Sequence, residues 1–254
     1  MTCDRNRPDK LHEYPGVDES ILAAEELIGE PLDLTFLRLA LSPRTGRVPR
    51  LVRAGHCVYA AQLAELVLSG HLVDIQGSPQ MAVRHEWPTR LVHLHDELSR
   101  ATRDSWDELF WAHPEIIGAA RKLATAELID RGLWRKPSRS RLLPKALLGY
   151  QQFYPGEGKR MAALLDLDAW VPHQFRSMRE LRGTTLIALL GIFRGNDVRP
   201  LLAQVCLDDD TLAANDELTR HFQSIRSLLL GTEIALVVAT GRWAAPEFAH
   251  TTFR

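Results

Sequence analysis

The chain has 254 residues, 45% of them hydrophobic and 25% charged, with a formal net charge of −1. That balance excludes a disordered or fibrous chain, and the charge as a whole points to no nucleic-acid or membrane partner; only local patches can do so. Cys3, Cys57 and Cys206 lie far apart with no CxxC pair, which argues against a disulfide framework or zinc knuckle and for a reducing, cytoplasmic compartment.

The N-terminus, Met1 to Arg7, lacks the apolar stretch of a signal peptide. Residues 1–31 read as a polar extension or arm containing Pro8 and Pro15, within which Ile21 to Ile28 has the spacing of a short amphipathic helix. Nothing in residues 32–254 resembles an interdomain linker, so they read as one mostly α-helical domain with short β-hairpins around a central helix bundle. Leu32 to Leu41 leads into a turn signal at Ser42-Pro43-Arg44-Thr45-Gly46-Arg47.

A pattern then appears twice. In the first copy, Ala60 to Ser69 has apolar residues at three- and four-residue steps and ends at Gly70. An extended run to Ile75 follows, then a turn at Gln76-Gly77-Ser78-Pro79 and a second run at Met81-Ala82-Val83. In the second copy, Leu123 to Arg131 ends at Gly132, followed by Leu133-Trp134, a basic turn from Arg135 to Arg141, and Leu142-Leu143. Each glycine stands where a left-handed cap stops a helix. Between the copies, Leu91 to Phe110 carries apolar residues at helical spacing, and Pro114 suits the first turn of the second-copy helix.

After a break at Pro155-Gly156-Glu157-Gly158, three helices are expected: Lys159 to Leu167, Arg179 to Phe193, and about Asp216 to Leu230. The last presents Leu218, Phe222, Ile225 and Leu229 on one core-facing stripe. The greasiest runs, Leu186 to Phe193 and Leu228 to Val238, are too short for a membrane span and read as buried helix. Asp208-Asp209-Asp210 reads as charge at a helix N-terminus.

No catalytic constellation is present. Gly156-Glu157-Gly158-Lys159-Arg160 lacks the first Gly and the Ser or Thr of a phosphate loop. His93 and His95 are two residues apart on a helix and face different ways, so they do not share a metal. A non-enzymatic protein without cofactor or metal is the expectation.

The segment from Arg131 to Arg160 is the local charge patch. It holds Arg131, Arg135, Lys136, Arg139, Arg141, Lys145, Lys159 and Arg160 against Glu157, interleaved with Trp134, Leu142, Leu143, Leu147 and Leu148. A projecting hairpin with charged flanks and an apolar tip suits an anionic bilayer, where each base near the headgroups contributes roughly 1 kcal/mol. The other readings are a solvated basic loop, the wing of a winged-helix nucleic-acid binder, and an oligomer contact.

The order of these blocks resembles the Golgi phosphoprotein 3 adaptors and their bacterial homologues over roughly Leu32 to Trp243. Its carriers are Leu37 to Leu41 with Thr45-Gly46-Arg47, Leu63 to Leu72, Leu128 to Leu133, Leu186 to Leu190 running into Asn196-Asp197-Val198, and Thr232 to Val238. The resemblance implies a mostly helical fold, a protruding hairpin used for membranes or self-association, and a basic pocket for a phosphoinositide headgroup at the cytoplasmic face of a membrane. Eukaryotic members also bind tails of membrane-protein clients. The family's pair of arginines on the second-copy helix falls on Gly118 and Arg121, and its Trp and Arg before the first-copy helix fall on Arg50 and Tyr59. Arg53 adds charge nearby. The headgroup pocket is not reproduced in full, and what the resemblance leaves is a less selective contact with anionic lipid or phosphate at Arg50, Arg53, Tyr59 and Arg121.

Overall fold

A computed structural model describes residues 30–42, 45–82, 86–100, 104–111, 114–135, 151–152, 174–175, 177–204, 206–207 and 216–240. The described chain is mostly helical. Helices α1 (Leu32–Ala40) and α2 (Leu51–Leu68) precede a hairpin of β1 (Leu72–Ile75) and β2 (Ser78–Met81). A 3₁₀ turn (Thr89–Leu91) leads to α3 (Val92–Arg100), the short α4 (Glu108–Trp111), α5 (Pro114–Asp130) and strand β3 (Trp134–Arg135). Beyond lie β4 (Gln151–Gln152), β5 (Gln174–Phe175), α6 (Met178–Arg194), α7 (Arg199–Gln204), β6 (Cys206–Leu207) and α8 (Asp216–Ala239).

Helix α2 is the axis of the bundle and packs against α1, α5, α6 and α8. A helix with neighbours on every side must be apolar all round, and Ala54 to Ala64 is continuously buried. Small residues let the neighbours come close: a β-carbon on Gly55 would lie 3.0 Å from Cγ2 of Ile117 on α5.

The repeated pattern is a repeated geometry. At the end of α2 the amide of Ser69 bonds Glu65 O (2.9 Å), that of Gly70 bonds Val67 O (2.8 Å), and that of His71 bonds Leu66 O (2.7 Å). At the end of α5 the amides of Arg131, Gly132 and Leu133 make the same three bonds, to Glu127, Ile129 and Leu128, each at 2.9 Å. Gly70 and Gly132 have φ of 69° and 71°, which a side chain would strain.

The first hairpin turns on two residues, Gln76 and Gly77, both with positive φ, so that Ser78 and Pro79 belong to the returning strand instead of the turn. Asp74 fixes it: Oδ1 accepts the Gly77 amide (2.7 Å), Oδ2 accepts Trp106 Nε1 (2.7 Å), and the Asp74 amide donates to Ser224 Oγ on α8 (2.8 Å). The second copy departs from expectation. Trp134 pairs with Gln152 and Arg135 with Gln151, so β3 pairs with β4; Leu142-Leu143, expected as the return run, lie outside the described residues.

Two further expectations are corrected. The stretch Leu91 to Phe110 is divided between a 3₁₀ turn, α3 and α4. Helix α8 runs on to Ala239 and absorbs the apolar run Leu228 to Val238, giving a helix of 24 residues that is long and apolar enough to cross a bilayer. It buries Leu218, Ile225, Leu229 and Leu236 in the core, with Phe222 packed against it. The arm before residue 30, the helix expected at Lys159 to Leu167 and the acidic run at Asp208 lie outside the described residues.

Asp33 is fully buried on α1 and is held from two sides. Its Oδ2 accepts from Gln62 Nε2 (2.9 Å) and from Arg90 Nη2 (2.8 Å), while Arg90 Nε donates to Glu127 (2.5 Å). Arg182 of α6 clamps both carboxylate oxygens of Glu65, which also accepts the Leu32 amide (2.6 Å). These ion pairs join α1, α2, α5 and α6 around the core.

Candidate functional site

Arg50 and Arg53 lie at the N-terminal end of α2, Tyr59 lies further along it, and Arg121 lies on α5 facing it. Arg50 is the N-cap of α2 in the left-handed conformation, with φ of 52°. Its Nη1 donates to the carbonyls of Phe193 (3.2 Å) and Arg194, and Arg53 Nη1 donates to Ile192 O (3.3 Å). These are carbonyls of the last turn of α6, of which Ile192 O also accepts the Gly195 amide (3.0 Å), and the helix end carries partial negative charge. The chain leaves α6 through Gly195, over which the Arg53 guanidinium lies: a β-carbon there would come 2.7 Å from Nη1. Both guanidiniums therefore fasten α2 to α6.

Tyr59 lies two turns further along α2 and is buried, its ring edge-on to Phe110 at 5.4 Å. His56 stacks parallel on the same Phe110 at 6.1 Å. Its Nδ1 lies 2.9 Å from Val52 O and donates to it. Burial pulls the His56 pKa below its ordinary value, against the opposing effect of that backbone bond, and so favours the neutral ring. The Cys57 thiol, wholly buried, is pushed far up and stays protonated.

Arg121, on α5, faces the first turns of α2 across a cleft of about 530 Å³. Leu51, Val52, His56, Phe110 and Trp111 line it, with Ala235 and Val238 of α8 closing one side. Among the described residues Arg121 has no ion pair or side-chain hydrogen bond. Leu51 and Val52 are each 56% exposed and Trp111 48%, so the rim is apolar surface left open to solvent. This arrangement can take an anionic group at Arg121 and apolar groups on the rim.

Trp134 is 1% exposed and anchors the base of the basic hairpin in the core, whereas Arg135 beside it is exposed. Lys136, Arg139, Arg141, Leu142 and Leu143 lie outside the described residues. The structure thus brings Arg121 to an open cleft, turns the heads of Arg50 and Arg53 to another helix, and places Tyr59 in the core. Sequence reasoning missed the rim. Its signal was present in Leu51-Val52, two adjacent apolar residues in the first turn of a helix, only one of which a core-facing stripe would need.

No family model, curated protein or solved structure matches this chain.

Proposed function

We propose that this chain is a non-enzymatic peripheral membrane adaptor of the Golgi phosphoprotein 3 type, binding anionic lipid headgroups at the cytoplasmic face of a membrane. The observation that carries the reading is Arg121 at an apolar cleft rimmed by exposed Leu51, Val52 and Trp111. A cation beside clustered apolar side chains gains twice at a bilayer surface: roughly 1 kcal/mol from the headgroup charge and about 25 cal/mol per Å² of apolar area removed from water. Trp is suited to the boundary between headgroup and chain, its ring being apolar and its N–H polar. The exposed Arg135 begins a basic segment that adds charge to such a contact, and self-association or a membrane-protein client follows from the same family reading.

Co-sedimentation with phosphatidylcholine vesicles containing graded phosphatidylserine, with and without phosphoinositide, at two salt concentrations, tests this. Binding is expected to rise with anionic content and to fall at least tenfold in Arg121→Glu and in Trp111→Ser. Equal binding to neutral and anionic vesicles, or none to either, would refute the proposal. The joint variant Arg135→Glu, Arg139→Glu, Arg141→Glu tests the basic segment separately, and unchanged binding would remove it from the contact.

A further inference from the structure

Three polar side chains line the cleft at the start of α2: Arg121, His56 and the indole of Trp111. Among the described residues no carboxylate lines it, so the one charge in its wall is positive. Such a wall attracts an anion and disfavours an ammonium group.

His56 sets what else the cleft can recognise. The residue is 7% exposed, and its two ring nitrogens differ in role. A carbonyl oxygen only accepts, so Nδ1, 2.9 Å from Val52 O, carries the proton, and in the neutral ring Nε2 carries the lone pair. Burial disfavours the imidazolium, and the parallel stack on Phe110 at 6.1 Å fixes the plane of the ring. Among the described residues Nε2 has no hydrogen-bond partner, and it is not one of the enclosed polar atoms, as Gln62 Oε1 is. The cleft that His56 lines is where a donor reaches it. An acceptor held in one orientation loses little further freedom when a donor arrives, whereas covering it with an apolar group leaves it dry and unpaired at a cost.

We propose that His56 selects the headgroup: the cleft takes a membrane lipid whose anionic phosphodiester lies on Arg121 and whose uncharged hydroxyl donates to His56 Nε2, as a glycerol headgroup does. This rests on the lipid reading above and adds to it the class of headgroup. Two kinds of donor suit Nε2, a hydroxyl and an ammonium. The ammonium of phosphatidylserine brings positive charge beside Arg121 with no carboxylate in the lining to offset it, and a hydroxyl brings none. A headgroup with neither donor buries Nε2 unpaired. The volume of about 530 Å³ lies within the range of small-molecule sites, about 300–1,000 Å³.

Co-sedimentation of the full chain with phosphatidylcholine vesicles holding equal fractions of phosphatidylglycerol, phosphatidylpropanol or phosphatidylserine tests the assignment. The first two headgroups share their charge and their three-carbon chain and differ only in hydroxyls. The parent chain is expected to bind phosphatidylglycerol about three- to tenfold more tightly than phosphatidylpropanol, the range of one hydrogen bond, and phosphatidylserine no better than phosphatidylpropanol. That ratio should hold as salt lowers both affinities, because the hydroxyl contact is not ionic. His56→Phe keeps an aromatic ring against Phe110 and removes the acceptor, and the ratio should fall to about one. His95→Phe, on α3 and outside the cleft, should keep the parent ratio. The parent comparison needs no substitution, so it decides the matter even where a variant fails to fold. Equal binding of phosphatidylglycerol and phosphatidylpropanol by the parent chain, or a preference that survives His56→Phe, would overturn this inference and leave the lipid reading standing. No binding to any of the anionic vesicles would overturn both.

Discussion

Glu65 and Glu127 hold the same place in the two halves of the molecule. The carbonyl of each accepts, at 2.9 Å, the amide just before a capping glycine, and the carboxylate of each is bound by an arginine from another element, Arg182 and Arg90. Their surroundings differ, which gives a first prediction. Glu65 is bound through both oxygens, and both it and Arg182 are largely buried (16% and 19% exposed). Glu65→Gln removes the charge that Arg182 binds through Nη1 and Nη2 and should cost about 2–4 kcal/mol. Glu127→Gln leaves Arg90 with Asp33 and should cost about 1 kcal/mol or less. Urea denaturation followed by circular dichroism would rank the two.

Two glycines on helices should respond to alanine with opposite sign. A β-carbon on Gly231 of α8 would lie 2.8 Å from Trp106 Cβ and 2.9 Å from the Asp107 amide, so Gly231→Ala must push α8 off the segment leading into α4, at about 1–3 kcal/mol. A β-carbon on Gly118 of α5 meets nothing within 4 Å, and Gly118→Ala should stabilise by about 0.5–1 kcal/mol through lost freedom of the unfolded chain. Thermal melts of the two variants check both signs.

The same open position allows a gain-of-function test of the lipid reading. Gly118 stands one helical turn before Arg121 on the cleft wall, where the resembling family carries the first of two arginines. Gly118→Arg should raise binding to anionic vesicles severalfold over the parent chain, and the increase should shrink with salt. Co-sedimentation at low and high ionic strength measures both.

Arg50 and Arg53 should separate from Arg121 in their effects. Because their guanidiniums bind the last carbonyls of α6, Arg50→Ala and Arg53→Ala should each cost about 1 kcal/mol of stability. Arg121→Ala should leave the melting temperature unchanged while weakening vesicle binding. Parallel denaturation and sedimentation of the three variants would show the split.

Stability should depend on pH through Glu233 on α8. Burial, and then the neighbouring Asp197 carboxylate, push Glu233 above its ordinary value of 4.5, opposed by the Arg199 guanidinium. A carboxyl group raised in the folded state favours folding while it is protonated. Its contribution is fully present below 4.5 and is lost as pH rises through the folded value, so at neutral pH Glu233 works against the fold. Asp197 has the opposite sense: hydrogen bonds from Arg199 hold it below its ordinary value, and its contribution is lost as pH falls. Glu233→Gln should therefore raise the melting temperature by a few degrees at pH 7 and leave it nearly unchanged at pH 4, in melts across that range.

What the sequence determined by itself was local: the mostly helical class, the two glycine-capped helices, Pro114 at the start of α5, and the core-facing stripe of α8. Each depends on contacts three or four residues apart or on the φ that one residue can adopt, and those constraints lie within a window of the chain. Tertiary structure decided where polar heads go. Arg50 and Arg53 read as charge beside a helix start, yet α6 brings its C-terminal carbonyls to them from more than 130 positions away. Asp33 is buried because Gln62 and Arg90 reach it from distant elements. The partner of Trp134-Arg135 is Gln151-Gln152 because strand pairing is set by long-range register, which no short window contains. The open cleft at Arg121 likewise exists only once α2, α4, α5 and α8 have packed, since a cavity belongs to the space between elements and to none of them alone.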